Sequence, residues 1–206
     1  MEWNNYKKNG SGNDIYGKER MVLAVFLRDS VFAYLPNAIF IENGTLLGAW
    51  RNSKFIAHDD DFDYGILIDS RDEIPIILEA IRDSLPDSYS CRRIDDYADK
   101  IEIYEPSFGN YKLMGPSYNN ANYHYVTIDL QFYLKQYSGQ YRCLYNIANS
   151  ISIDRSVIEP LGEILLEGEI FKSPNKIEEF LTIHYGYLGE NAEYSEETGL
   201  YKKQNQ

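Results

Sequence analysis

Four aspartates fall within five positions, Asp59, Asp60, Asp61 and Asp63, just after the run Glu42-Asn43-Gly44-Thr45-Leu46-Leu47-Gly48-Ala49-Trp50-Arg51. Like charge at that density is costly to fold unless a cation neutralises it. On a strand, side chains alternate faces, so Asp59, Asp61 and Asp63 are expected on one side, with Asp60 and Phe62 on the other. Three oxygen donors at two-residue spacing suit Mg²⁺, which takes few protein carboxylates and leaves room for substrate phosphates. Gly44-Thr45 reads as a small-residue turn able to approach phosphate. Arg51 and Lys54 are candidate phosphate clamps, Arg through its bidentate fork and Lys as a point charge. The chemistry this implies is metal-dependent transfer of a phosphoryl-type group.

Other readings of the same residues are weaker. An EF-hand loop starting at Asp59 needs Gly at its sixth position and Glu at its twelfth, and those are Tyr64 and Ser70. A solvated acidic turn is the usual fate of a charge run, but the alternating Phe62, Tyr64, Ile66 and Ile68 argue for a strand. Asn43-Gly44-Thr45 also matches a glycosylation acceptor, which needs a secretory route. Two metal ions take ligands from more than one element, and Asp129, on the polar face of a later strand, is the candidate third carboxylate. The histidines His58, His124 and His184 are scattered and read as structural.

The 206 residues suit one domain with a real core. A formal charge of −12 argues against nucleic acid or an anionic membrane as the main partner, since both need basic footprints. The 2 cysteines do not make a disulfide scaffold and point to a reducing compartment. With no basic-plus-apolar leader and no long apolar run, a cytoplasmic protein without a transmembrane segment is expected.

The elements that must position the carboxylates follow from periodicity. A helix is expected over 18–35, stopped by Pro36, then a short strand over 38–42 and another over 62–68. A second helix with one apolar stripe (Ile74, Ile77, Leu78, Ile81, Leu85) should start at Asp72 as cap, leaving Pro75 in the first turn. Strands are expected over 89–94, 100–104 and 123–133, the last alternating Val126, Ile128, Leu130 and Phe132 with Tyr125, Thr127, Asp129 and Gln131. A hairpin over 163–171 turns at Glu167-Gly168. A helix capped by Ser173, with Pro174 at its first position, ends at Gly186. Mixed strands and helices without strict alternation give an α+β class. Polar termini over 1–16 and 187–206 read as flexible flanks of a single domain over 17–186.

The segment Gly44 to Arg51, then Phe55-Ile56, then Asp59-Asp60-Asp61-Phe62-Asp63, resembles the signature of the LicD/fukutin family, roughly G-T-L-L-G-A-x-R followed by F-I-P-W-D-D-D-I-D. Val126-Thr127-Ile128-Asp129 is similar to that family's third-carboxylate strand, and Pro160-Leu161, Leu166-Glu167-Gly168 and Pro174 to Gly186 to its closing hairpin and helix. Ala57-His58 replaces the family's Pro-Trp. The resemblance implies a nucleotidyltransferase-like mixed sheet packed with helices. It also implies Mg²⁺ or Mn²⁺ held by Asp61, Asp63 and Asp129, with Asp59 beside them, and Gly44, Thr45 and Arg51 near the donor phosphates. The implied activity moves a phospho-alcohol (phosphocholine, ribitol phosphate or glycerol phosphate) from a CDP-linked donor to a glycan or glycolipid acceptor, with release of CMP. The resemblance leaves two roles open to Asp129, ligand and proton acceptor. The alternatives are a nucleotidyltransferase that releases pyrophosphate and a non-catalytic cation-binding protein of the same fold.

Overall fold

Helix α1 spans Asn13–Ser30 in the computed structural model, which describes residues 12–95, 99–112, 122–145, 151–189, 191–195, 197, 198 and 200–204. The helix starts five residues before the expected position because tertiary partners take up the free N–H groups of its first turn. Asn13 and Asp14 N–H donate to the carbonyls of Asp59 and Ala57 at 2.8 and 2.9 Å. Residues 12–16 are therefore tied to the acidic segment rather than loose, while the rest of the expected N-terminal flank lies outside the described residues. At its other end the Val31 N–H returns to Leu27, and a 3₁₀ turn over Phe32–Tyr34 replaces the last helical turn expected from the periodicity.

Strand β1 (Ile39–Ile41) leads into helix α2 (Asn43–Asn52), strand β2 (Asp63–Ile68) and helix α3 (Glu73–Ser84). Asp72 does cap α3, but its side chain makes no capping bond. Glu73 instead accepts from the N–H groups of Asp69 and Ser70 at 2.8 Å each. Strands β3 (Ser90–Ile94) and β4 (Lys100–Tyr104) follow.

The single long strand expected over 123–133 is two strands. Asn122–His124 (β6) pairs with Asn110–Lys112 (β5), and the chain then bends into β7 (Thr127–Lys135). Two more strands, β8 (Gln140–Cys143) and β9 (Ser152–Asp154), precede the single-turn helix α4 (Arg155–Ile158). The order across the main sheet is β1-β2-β7-β4-β3, with β8 on the second half of β7 and β9 beyond it. The β2–β7 pair is parallel and every other pairing in this sheet is antiparallel.

The predicted hairpin is present as β10 (Gly162–Leu166) and β11 (Glu169–Ser173), with Glu167 and Gly168 both at positive φ, 49° and 91°. This is the backbone a two-residue hairpin turn requires. Ser173 ends β11 instead of capping a helix, because Asn175 and Lys176 N–H donate to the Ile158 and Val157 carbonyls of α4. Helix α5 therefore begins only at Ile177 and runs to Tyr185, where Gly186 ends it as expected. The C-terminal flank also differs from expectation: Ala192–Ser195 (β12) and Leu200–Lys203 (β13) form a hairpin.

Alternation along β2 and β7 separates two faces of the sheet. Tyr64 and Ile66, with Ile128, Leu130 and Phe132, form the apolar face, and the Tyr64 hydroxyl donates to the Ala24 carbonyl of α1 at 3.0 Å. Leu23, Ala24 and Leu27 of that helix are fully buried. The opposite face carries Asp63, Asp129, Gln131 and Tyr133. Phe180 of α5 packs on it, in ring contact with Phe40 and Tyr133 at 5.8 and 6.1 Å. That face is polar, as the sequence alternation suggested, but it is buried: Asp129 is 4 % exposed and Gln131 2 %.

Helix α2 owes its seat to two glycines four residues apart, which share one helix face. A Cβ on Gly48 would lie 2.4 Å from the Lys54 carbonyl oxygen and 3.1 Å from the Ile56 nitrogen, both backbone atoms that cannot swing away. Gly48→Ala is expected to lower stability by about 1–3 kcal/mol through this overpacking, read by thermal unfolding. Among the described residues no helix is long and apolar enough to cross a membrane.

Candidate active site

The registers of four strands place Asp63, Asp129, Glu102 and Arg92 in one row across β2, β7, β4 and β3. Asp61 enters from the segment just before β2. Oxygens of Asp61, Asp63 and Asp129 all lie within 4.8 Å of one another. Two oxygens bound to one Mg²⁺-sized ion sit up to about 4 Å apart, twice a bond of about 2 Å, so this carboxylate trio is nearly closed to that spacing. Hard oxygen donors of this kind suit Mg²⁺, Ca²⁺ or Mn²⁺ rather than a soft metal.

Upstream of Asp63 the alternating-face expectation fails. Residues 59–62 are not strand, because the Asp59 carbonyl is taken by α1 and its N–H closes a turn onto Ile56 at 3.1 Å. Asp59, Asp60 and Asp61 consequently form a second group with oxygens within 4.8 Å of one another. Asp60 lies beside its neighbours instead of facing away, and Asp59 belongs to this group, one step removed from Asp63 and Asp129. Phe62 does turn inward as expected, against Phe55, Tyr64 and Phe171. The hairpin tip supports this wall, since Glu167 accepts from the Phe55 N–H at 3.0 Å.

Gly44 and Thr45 are not a free turn but the first turn of α2. Gly44 lies against Asp59, where an added Cβ would stand 2.2 Å from Asp59 Oδ2. Thr45 is buried, and its Oγ1 accepts from the Asp63 N–H at 2.9 Å, so it fixes the start of β2. Thr45→Val leaves that N–H unpaired in the interior and is expected to cost about 1–3 kcal/mol, measured by denaturant unfolding. Arg51 and Lys54 are exposed near the other end of α2, about 12 Å along the axis from Asn43 at 1.5 Å per residue. Arg51 donates to the Leu188 carbonyl at 3.3 Å. Among the described residues no hydrogen bond or ion pair joins either cation to the four aspartates.

Several residues of the site went unread in the sequence. Gln131 Nε2 donates to Asp63 Oδ1 at 3.0 Å, and the buried Lys100 ammonium is ion-paired with Asp129. Glu102, fully buried, is held by Arg92 Nε at 2.6 Å. Glu42, also fully buried, accepts from the Tyr133 hydroxyl, which in turn lies 3.3 Å from His184 Nε2. The signal for Gln131 and Tyr133 was their place on the Asp129 face of β7, and that for Lys100 and Glu102 their alternation with Ile101 and Ile103. Glu42 carried no signal beyond adjacency to Asn43-Gly44.

Burial and mutual repulsion dominate the electrostatics. Burial pushes Glu42 up to about 8, with Asp129 adding repulsion. Asp59 is raised to about 7 by burial and then by Asp60. Asp61 and Asp63 are driven well above the carboxylate range by burial and then by each other's neighbours in the cluster. Glu102 rises to about 7 by burial, with Asp129 next. His184 is pushed down to about 4 by burial, which fits the structural role read from the sequence. Such a cluster stays ionised only if cations join it. Asp59 Oδ2, Glu42 Oε1, Glu102 Oε1 and Gln131 Oε1 are buried without a hydrogen-bond partner, and the first of these is an open donor for a cation. The residues thus fit a divalent ion held by Asp61, Asp63 and Asp129, with Asp59 and Asp60 beside it.

The family model for LicD/FKTN/FKRP, nucleotidyltransferase domain, matches residues 37–176, from just before β1 to the residue preceding α5. No protein of curated function matches the chain by sequence. Among solved structures, the lincomycin-bound crystal structure of the lincosamide antibiotic adenylyltransferase LnuA is similar, with a TM-score of 0.47 and 12% identity, covering 87% of this chain and 90% of that one.

Proposed function

This chain belongs to the LicD/FKTN/FKRP family through its nucleotidyltransferase domain, and from that premise we propose that it is a Mg²⁺- or Mn²⁺-dependent phosphotransferase acting on a CDP-activated alcohol. The coarse reading, a transferase that handles a phosphate-bearing donor, follows from the family. The finer one is supported by a single observation: oxygens of Asp61, Asp63 and Asp129 lie within 4.8 Å of one another, a site for a cation that also meets a diphosphate. In this reading a hydroxyl of a glycan or glycolipid acceptor attacks the phosphorus bearing the alcohol. A new P–O bond forms, the P–O–P bond breaks, and CMP leaves with the proton released from the hydroxyl.

A bound divalent ion supplies charge neutralisation of the diphosphate and of the leaving CMP. The protein's own residues do the positioning. Thr45 holds the backbone of Asp63 and Gln131 holds its carboxylate, so one ligand is fixed from both ends. Asp129 sits within reach of the same point and is the candidate acceptor of the hydroxyl proton. Gly44 lets the N-terminal end of α2 close on the acidic segment, where the helix dipole favours anions. Arg51, about 12 Å further along the helix, and Lys54, just past the helix end, are assigned to the outer end of the donor or to the acceptor.

The test is product analysis. Incubation with a panel of CDP-alcohols, glycan acceptors and Mg²⁺ should yield CMP on chromatography. Pyrophosphate released from CTP would replace this reading with a nucleotidyltransferase, and absence of turnover across the panel with metal bound would leave a non-catalytic cation-binding protein.

A further inference from the structure

Lys100 is a buried ammonium in a carboxylate-rich site, 5 % exposed and ion-paired with Asp129. Its Nζ lies 5.7 Å from the ring centre of Tyr123 and 5.9 Å from that of Tyr145. Resting on the functional reading above, we propose that Lys100 is a movable counter-ion: it neutralises Asp129 in the metal-free protein and passes to the donor diphosphate when a divalent cation takes that carboxylate.

Three features carry this. First, Asp129 is shared between the ion pair and the trio with Asp61 and Asp63, so a divalent cation and the ammonium compete for one carboxylate and repel each other there. Second, the other acid on the strand of Lys100, Glu102, already has a counter-ion in Arg92, 2.6 Å from Oε2, so its charge is balanced although its Oε1 makes no hydrogen bond. The new anion that arrives with the cation is the diphosphate itself. Third, the ammonium rides on a flexible four-carbon stem, and the faces of Tyr123 and Tyr145 attract a cation without supplying a competing oxygen. They hold it at the site while its partner changes.

Mn²⁺ binding followed by electron paramagnetic resonance, and CDP binding followed by calorimetry at saturating Mn²⁺, test this on the wild-type protein, Lys100→Met and Lys100→Arg. Lys100→Met should bind Mn²⁺ about tenfold more tightly and Mn²⁺-dependent CDP about tenfold more weakly. Lys100→Arg should restore CDP affinity. If the wild-type protein binds both and Lys100→Met changes neither, or weakens Mn²⁺ binding, the lysine proposal is overturned while the functional reading stands. If the Mn²⁺-loaded wild-type protein does not bind CDP, the functional reading falls and this proposal with it. Should Lys100→Met fail to fold, Lys100→Gln takes its place in both titrations. A crystal structure of the wild-type protein with Mn²⁺ and CDP decides the matter without a variant: Lys100 Nζ on a diphosphate oxygen supports the exchange, and Lys100 still on Asp129 overturns it.

Discussion

Asp63→Asn and Asp129→Asn are each expected to reduce metal-dependent turnover by about 10³-fold or more, equivalent to about 4 kcal/mol of transition-state stabilisation. Asn keeps the shape of each side chain but removes the charge that a divalent ion needs. The same changes act oppositely on the metal-free fold. Asp63 is pushed up first by burial and then by Asp61, Asp129, Asp59 and Glu42, so removing its charge relieves repulsion and should raise the melting temperature. Asp129→Asn should lower it, because it leaves the buried Lys100 ammonium without its partner. Steady-state kinetics with thermal unfolding in EDTA separates these effects. Turnover within a few-fold of wild type in both variants would remove these residues from the chemistry. Asp60, which lies beside Asp59 and Asp61, is expected to influence metal affinity as well, contrary to the alternating-face argument.

The second large effect is a coupling of stability to pH and metal. Glu42 is raised from 4.5 to about 8, Asp59 from 3.8 to about 7 and Glu102 from 4.5 to about 7. Each folded carboxyl holds a proton that the unfolded chain has released, so its contribution is complete below the unfolded value and is lost as pH rises through the folded one. His184 works in the other direction: lowered from 6.5 to about 4 by burial, it costs stability as pH falls between those values. Between pH 6.5 and 8 only the carboxyls operate, and the metal-free protein is expected to become steadily less stable. Mg²⁺ or Mn²⁺ competes with the proton on Asp59, which lies beside the ion's candidate site, so the rise in melting temperature on adding metal should grow across the same interval. Calorimetric scans with EDTA and with metal check this. A metal-free melting temperature that stays flat or climbs from pH 6.5 to 8 would contradict it.

Much of the candidate site was legible because its acidic residues sit on elements with clear periodicity. The strand at 63–68 and the alternation around Asp129 put the two buried carboxylates on one face, and their parallel pairing in register brings them together. The Glu167-Gly168 turn was readable from its glycine, which takes the second of two consecutive positive φ values at no steric cost. What could not be read locally was set by partners far away in sequence. Residues 59–62 leave the strand because the start of α1, more than forty positions earlier, binds their backbone. Gly44-Thr45 became a helix start because Thr45 and Gly44 meet Asp63 and Asp59. Ser173 lost its capping role to α4, whose carbonyls hold residues 175 and 176. Lys100 and Glu102 merely alternate with Ile101 and Ile103 along a short strand, and only the sheet order, which seats that strand beside β7, buries them against Asp129.

The most direct test of a cation-bridged diphosphate site is calorimetric titration of CDP into the wild-type protein, once with Mg²⁺ and once with EDTA. With a formal charge of −12 and the carboxylates of Asp61, Asp63 and Asp129 drawn together, a diphosphate meets a repulsive field unless a divalent ion intervenes. The expected result is binding with Mg²⁺, none in EDTA, and none with Mg²⁺ in Asp63→Asn. Equal CDP affinity with and without the metal would contradict the account.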